Sequence, residues 1–165
     1  MATSLSARMP IPADPAAAYA LLTDPAYVQA VGEATGGQEV VVTVTPTDDG
    51  GAVVASHRVL PAELPSYAKA VVGDSLKLTE TRTFGPAAAD GTRSGTAAVS
   101  FDGAPVSIKG PLQLVATGSG SELVLDASVS ASIPFIGGKI EKFAAEQIER
   151  FMRKEGEIAA GRLNG

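Results

Sequence analysis

Strict alternation of apolar and polar side chains marks the start of the chain as a half-buried strand. One face of this strand carries Leu5, Ala7, Met9 and Ile11. Asp14 and Pro15 then supply a helix N-cap and a proline at the first helical position, so the sequence predicts a short helix through Leu22. Asp24 and Pro25 break this helix, and a second short helix is predicted over residues 26–31.

A period of two returns after this helical pair and indicates six further strands. The predicted strands cover residues 40–45, 53–60, 76–84, 95–102, 106–116 and 122–133. Between the second and third of these, the proline-rich residues 61–73 are interpreted as an insertion whose middle forms a helical turn. Such an insertion at the end of a sheet is either a lid or rim over a site or a plain spacer.

The end of the chain, residues 139–163, is predicted to be one long amphipathic helix. Its apolar stripe consists of Ile140, Phe143, Ala144, Ile148, Phe151, Met152 and Ile158. A stripe of this length must be buried, and the surface available is the concave face of an antiparallel sheet. The predicted class is therefore α+β, with about seven antiparallel strands wrapped around the C-terminal helix and two short helices after the first strand. We expect a single domain over residues 1–165.

Composition excludes several classes of function. The 165-residue chain has no cysteine, which excludes a thiol nucleophile, a zinc–thiolate site and a disulfide framework. A net charge of −5 without a basic run argues against nucleic-acid binding. No apolar stretch is long enough to span a bilayer, and the N-terminus lacks an export signal, so a cytoplasmic location is expected. One histidine and scattered carboxylates indicate no metal site, no cofactor is expected, and the chain is expected to be a monomer or weak dimer.

Two segments resemble a known family. The stretch from Arg58 to Tyr67 looks like the R-x-L-P-x-x-x-P-x-aromatic stretch of an uncharacterised actinobacterial family in the START-like, or polyketide cyclase, superfamily. The stretch from Ile133 to Glu141 is similar to that family's entry into its last helix. The resemblance covers essentially the whole chain, although Phe84 stands where many relatives have tryptophan. It implies the helix-grip fold, in which the gap between sheet and helix holds an apolar ligand, and it implies no specific activity.

The predicted inward face of the sheet carries unusually small residues, which would leave space beneath the helix. These residues are Ala7, Ala55, Ala97, Gly110, Ala127 and Ala131. Either the helix lies closer to the sheet, or a cavity of the usual few hundred Å³ exists, and the resemblance favours the cavity. Phe143 and Phe151 from the helix and Tyr67 from the insertion are its candidate ligand-binding aromatics. Tyr19 and Tyr27 lie in the predicted short helices, where a phenol could likewise cap a ligand. A tyrosine at the edge of a core with its hydroxyl in water needs no function, and this is the commoner case.

His57, the single histidine, shares its strand face with Val53, Ala55 and Val59, which predicts that it points inward. There it would act as a general base or hydrogen-bond a ligand carbonyl. The alternative, which we favour, is a core histidine that a backbone carbonyl or a water satisfies.

Glu80 and Arg82 alternate with apolar residues on one strand, and period-two patterning turns both charges toward the concave face. If residue 57 pairs opposite residue 78, Glu80 lies diagonally within reach of His57. Buried charges are costly unless they are paired, so an inward Glu80–Arg82 or Glu80–His57 pair would indicate a polar binding or catalytic site. The alternative, which we slightly favour, is a bulge that flips the register and leaves both charges in solvent.

Three hypotheses for function follow. The leading one is a binder or carrier of a small hydrophobic molecule, with His57, Glu80 and Arg82 as candidate polar contacts. The second is a polyketide cyclase-like enzyme in which His57 and an inward carboxylate such as Glu80 transfer protons. The third is an interaction module with a vestigial cavity. Binding leads because the sequence shows no complete acid–base constellation, and fold alone does not choose among the three.

Overall fold

The computed structural model describes residues 2–61 and 64–164, and its elements follow the predicted order. They are β1 (Ala2–Ile11), α1 (Pro15–Leu22), α2 (Pro25–Ala34), β2 (Gln38–Pro46), β3 (Ala52–Pro61), α3 (Ser66–Val72), β4 (Ser75–Phe84), β5 (Arg93–Phe101), β6 (Val106–Thr117), β7 (Gly120–Ala131) and α4 (Gly137–Asn164). The predicted α+β class and helix-grip arrangement are confirmed. Ala62 and Glu63 of the predicted insertion lie outside the described residues, and α3 forms most of the remainder.

The seven strands form one antiparallel sheet in the order β1-β7-β6-β5-β4-β3-β2. The first strand therefore lies at one edge, beside the last, which explains why β1 continues through Pro10: an edge strand tolerates a residue without a backbone donor. Helix α4 packs mainly against β1 and β7. The helix thus covers mainly the side of the sheet formed by β1 and β7.

Local capping fixes the two short helices between β1 and β2. The side chain of Asp14 accepts a hydrogen bond from the Ala17 amide at 2.8 Å, and that of Asp24 accepts one from the Ala26 amide at 3.0 Å. A proline follows each cap at the first helical position. Helix α2 extends to Ala34, three residues beyond its predicted end.

The buried face of α4 contains two glutamates among its apolar residues. Near the start of the helix, the Glu141 carboxylate accepts hydrogen bonds from the Ala131 amide at 3.0 Å and the Thr3 hydroxyl at 2.8 Å. These two hydrogen bonds, the backbone one first, hold the pKa of Glu141 below its usual value. Glu141 thereby joins the helix to both strands on which it packs.

The predicted inward set of small residues is correct for β1, β5 and β7 and wrong for β3. Four alanines of that set are buried: Ala7, Ala97, Ala127 and Ala131. On β3, however, the buried residues are Ala52, Val54, Ser56 and Arg58, so Ala55 lies on the outer face. At Gly110 the backbone of β7 approaches so closely that a Cβ would collide with the Asp126 carbonyl.

Candidate functional site

A cavity of about 340 Å³ lies between α4 and the part of the sheet that the helix does not cover. Apolar side chains of five strands form most of its wall: Leu60, Leu76, Leu78, Ala97, Val99, Phe101, Val106, Ile108, Leu112 and Leu125. The helix contributes Ile140, Phe143, Ala144, Gln147, Ile148, Phe151 and Met152. This volume is at the lower end of the roughly 300–1,000 Å³ typical of small-molecule sites.

The segment before β4 forms part of the cavity wall. Leu64 and Ala68, the latter on α3, line the cavity, so the predicted insertion contributes to the site and is not a plain spacer. Gly36 in the turn after α2 and Gln147 on α4 are exposed residues that also line it. Because both residues are exposed, the cavity reaches solvent between the turn after α2 and helix α4.

Four charged side chains form a buried network between β3, β4 and α4. Three of them, Arg58, Glu80 and Arg82, line the cavity and form its polar end. Arg82 binds Glu155 of α4 through two hydrogen bonds, Nη1 to Oε2 at 2.8 Å and Nη2 to Oε1 at 2.7 Å. Glu80 lies between two arginines, with Oε2 at 3.4 Å from Nε of Arg82 and Oε1 at 3.4 Å from Nη1 of Arg58. The network contains two positive and two negative groups, and it connects the sheet to the helix.

Neither Glu80 nor Arg82 of β4 lies in solvent, so the favoured expectation of a bulge that exposes them is wrong. The β3–β4 ladder pairs its residues without a register shift, and the two side chains are only 16% and 11% exposed. Burial alone would raise the pKa of Glu80, but the adjacent Arg82 and Arg58 outweigh it and hold that pKa below its usual value. Glu80 is therefore a carboxylate at neutral pH.

Tyr27 of α2 also contacts this network, through Glu155. Its hydroxyl donates to Glu155 at 3.4 Å, and burial, with the nearby Glu155 charge, raises the pKa of the phenol. The pKa of Arg82 is also raised, because Glu155 and Glu80 outweigh the opposing effect of burial. The phenol thus stays neutral and the guanidinium stays charged at physiological pH.

Arg58 is the least completely paired member of the network. Its side chain is 7% exposed, and its guanidinium carbon lies 4.9 Å from the centre of the Phe151 ring. Both of its described hydrogen bonds use Nη1, one to Ser56 Oγ at 3.2 Å and one to Glu80 at 3.4 Å. Nε is buried and has no hydrogen-bond partner among the described residues. Since a buried donor normally has a partner, this atom requires an explanation.

The predicted inward orientation of His57 is wrong. His57 is exposed on the outer face of β3, opposite Thr79, whose hydroxyl lies 2.8 Å from its Nδ1. The pairing is one residue away from the predicted pairing with residue 78, and Glu80 pairs with Ser56. Glu80 and His57 therefore lie on opposite faces of the sheet. The error has a physical cause: burial of the paired Arg58 sends the more apolar face of this strand outward.

The candidate aromatic residues divide by element. Phe143 and Phe151 line the cavity, as the helical stripe suggested, whereas Tyr67 is not one of its lining residues. Tyr67 lies on α3 with its ring 5.8 Å from the Lys139 ammonium. Tyr19 packs edge-on against Phe84, with ring centres 5.6 Å apart.

Comparison with known proteins assigns the chain to a family. A family model described as a protein of unknown function, DUF2505, matches residues 6–163. The chain belongs to the DUF2505 family. No curated protein matches this DUF2505 chain.

Solved structures show that this DUF2505 protein has the START-like fold. A protein from Thermus thermophilus, TTHA0849, is similar over 97% of this chain and 99% of its own, with a TM-score of 0.62 and 17% identity. A START superfamily protein from Mycobacterium smegmatis covers 99% of this chain and 97% of its own, with a TM-score of 0.53 and 14% identity. Ara h 8.0201 covers 96% and 98%, with a TM-score of 0.59 and 10% identity. The predicted helix-grip fold is thus confirmed.

Arg58 and Glu155 are the site residues of this DUF2505 protein that the sequence interpretation missed. Glu155 had a detectable signal: it follows Met152 by three residues and precedes Ala159 by four, and so lies on the buried stripe of α4. A carboxylate in an apolar stripe requires a cationic partner, and Arg82 on the inward face of β4 supplies it. The sequence signal for a buried Arg58 was weaker, because Ser56 and Arg58 share a strand face and two polar residues on one face are typical of a solvent-exposed surface.

Two other kinds of feature are missing from the part of the chain that the structure describes. Within residues 2–61 and 64–164, no group of three or more histidine, aspartate or glutamate side chains is placed to hold a metal ion. No helix in these ranges combines the length and apolarity needed to cross a membrane.

Proposed function

We propose that this DUF2505 protein binds a small hydrophobic molecule in the cavity between α4 and strands β3–β6. The observation that carries the proposal is the cavity itself: about 340 Å³ between the sheet and the helix, with a wall that is mostly apolar. Interiors normally pack to crystal-like density, so a space of this size beside well-packed β1 and β7 supports a binding role. Burial of the ligand's apolar surface supplies the affinity.

Proton-transfer chemistry has less support. A general base works best with a pKa near the operating pH, whereas the pKa of Glu80, the carboxylate in the cavity wall, is held low. The histidine on which the cyclase hypothesis relied lies on the other face of the sheet. Binding requires neither group to change its protonation state.

Two alanines on β5 provide a matched test. Ala97 is buried in the cavity wall, whereas its neighbour Ala98 is exposed on the opposite face of the same strand. Ala97→Leu places three additional carbon atoms in the cavity, and Ala98→Leu places the same atoms in solvent. We expect the wild type and Ala98→Leu to bind the neutral fluorophore N-phenyl-1-naphthylamine, and Ala97→Leu to bind it at least about tenfold more weakly.

Native mass spectrometry of freshly purified protein completes the experiment. We expect the wild type to retain an adduct that is absent from the denatured mass, and Ala97→Leu to lose it while its circular dichroism spectrum stays unchanged. Absence of both an adduct and fluorophore binding in the wild type would overturn the proposal. So would equal binding by the two leucine variants.

A further inference from the structure

The polar end of the cavity defines what kind of hydrophobic molecule fits it, provided that the proposed binding function holds. Arg58, Glu80 and Arg82 line this end, and together with Glu155, which pairs with Arg82, they form a neutral set of two arginines and two glutamates. Arg82 and Glu155 engage each other through two short hydrogen bonds, and Glu80 is held between both arginines. These three residues have their hydrogen bonds within the network.

Arg58 differs because one edge of its guanidinium has no described partner. A guanidinium presents N–H groups in its own plane, and the two described hydrogen bonds of Arg58 both leave from Nη1. Phe151 covers one face of the guanidinium, and the edge formed by Nε and Nη2 makes none of the described hydrogen bonds. Among the described residues Nε is buried without a partner, and Arg58 forms part of the cavity wall. A buried donor left unsatisfied costs about 1–3 kcal/mol, which an acceptor arriving with the ligand would recover.

We infer that the ligand is a neutral hydrophobic molecule with a carbonyl-type oxygen, and that this oxygen accepts hydrogen bonds from the Nε–Nη2 edge of Arg58. Neutrality follows from the charge balance, since a carboxylate would add an uncompensated negative charge beside Glu80 and Glu155 in an apolar enclosure. An oxygen acceptor follows from the Nε donor that no described residue satisfies. Reaching this atom requires a small movement of the guanidinium or of the Phe151 ring above it, because Nε is covered in the present arrangement.

A matched ligand set separates this inference from the proposed function. The pair 2-acetylnaphthalene and 2-isopropylnaphthalene has nearly the same shape but differs in the carbonyl oxygen, and 2-naphthoate carries a negative charge instead. Each is measured by displacement of N-phenyl-1-naphthylamine from the wild type, from Arg58→Met and from Arg8→Met. Arg8 serves as a control because its ion pair with Glu122 lies on the exposed face of β1, away from the cavity.

We expect Arg58→Met to weaken 2-acetylnaphthalene by about tenfold or more, the effect of one hydrogen bond from a charged donor, and to change 2-isopropylnaphthalene less than about twofold. Arg8→Met should change neither. Equal effects of Arg58→Met on the two neutral ligands would overturn the inference while leaving the binding function intact. Tighter binding of 2-naphthoate than of 2-acetylnaphthalene to the wild type would overturn the neutral ligand class. Failure of all three ligands and of the fluorophore would reject the binding function itself.

A measurement on the wild type guards against a variant that does not fold. The Nε–H proton and nitrogen resonances of Arg58 report directly on a new acceptor. Saturation with 2-acetylnaphthalene should move the Nε–H proton resonance downfield, and 2-isopropylnaphthalene should not. An unchanged resonance at saturating 2-acetylnaphthalene would overturn the inference whatever the behaviour of Arg58→Met.

Discussion

Breaking the ion pair between Arg82 and Glu155 should be one of the most destabilising single changes on α4, because it leaves a buried charge without its main partner. Glu155 is 3% exposed and Arg82 is 11% exposed, so solvent screens the pair only weakly. The variant Glu155→Gln keeps the shape of the side chain and removes its charge. In place of two carboxylate oxygens, Arg82 then meets one neutral amide oxygen and one amide N–H donor, and the longer 3.4 Å contact to Glu80 is its remaining ion pair.

The remaining ion pair with Glu80 determines how much unfolding free energy Glu155→Gln should lose. Removing one partner of a buried ion pair costs about 3–5 kcal/mol, and the remaining contact with Glu80 places the expected loss near the lower end, about 3 kcal/mol. For a chain of this size each kcal/mol lowers Tm by about 2–4 °C, so Tm should fall by about 6–12 °C. Urea unfolding followed by far-ultraviolet circular dichroism measures the free energy, because the chain has no tryptophan.

An exposed glutamate on the same helix provides the control. Glu157 is 63% exposed and pairs with Lys154 at 3.6 Å, and Glu157→Gln should change stability by less than about 0.5 kcal/mol. The combination of Glu155→Gln with Arg82→Met should be less destabilising than the sum of the two single variants, since the second change removes the stranded charge. The assigned role of the Arg82–Glu155 pair would be refuted if Glu155→Gln lowered the unfolding free energy no more than Glu157→Gln does. Simple addition of the effects of Glu155→Gln and Arg82→Met would refute it as well.

Two further predictions concern stability. The pKa values of Glu80 and Glu141 both lie below the usual 4.5, so their stabilising contribution is complete above that pH and is lost as pH falls through the lowered values. The urea midpoint should therefore decrease below about pH 4.5, and Glu80→Gln should flatten this decrease; an unchanged pH profile would contradict the assignment. Gly110→Ala should destabilise by about 1–3 kcal/mol, because its Cβ would meet the β7 backbone. Gly138→Ala, whose Cβ would meet no described atom within 4 Å, should stabilise by about 0.4–1 kcal/mol, and equal urea midpoints for the two variants would refute the packing argument.

Most of the fold was predictable because its signals are local. Alternation along β1 and β7, the caps at Asp14 and Asp24, and the stripe of α4 each require only neighbouring residues in sequence. The order of these elements then leaves the concave face of the sheet as the place where α4 is buried. The cavity was a weaker prediction, since small residues are equally compatible with a collapsed core, and the distance between helix and sheet depends on contacts far apart in sequence.

The prediction of which face of β3 is buried was wrong, because that orientation depends on contacts between β3, β4 and α4. Judged alone, the face with Val53, Ala55 and Val59 is the more apolar one, and its burial is the simpler expectation. The opposite face is buried because Arg58 forms an ion pair with Glu80 on the next strand and packs against the Phe151 ring on the helix. Counting apolar residues on one strand cannot detect such compensation.

A joint interpretation of the helix and the sheet would have corrected this orientation. Glu155 interrupts the buried stripe of α4, so the facing sheet must present a cation, and Arg82 is the cation on the inward face of β4. An inward Arg82 brings Glu80 with it, since residues two apart share a face. Glu80 then adds a second buried negative charge, and the adjacent strand must balance it. On β3 the cation that faces Glu80 is Arg58, which turns His57 outward. Charge balance within the core, and not hydrophobicity alone, thus determines which face of β3 forms the polar end of the cavity.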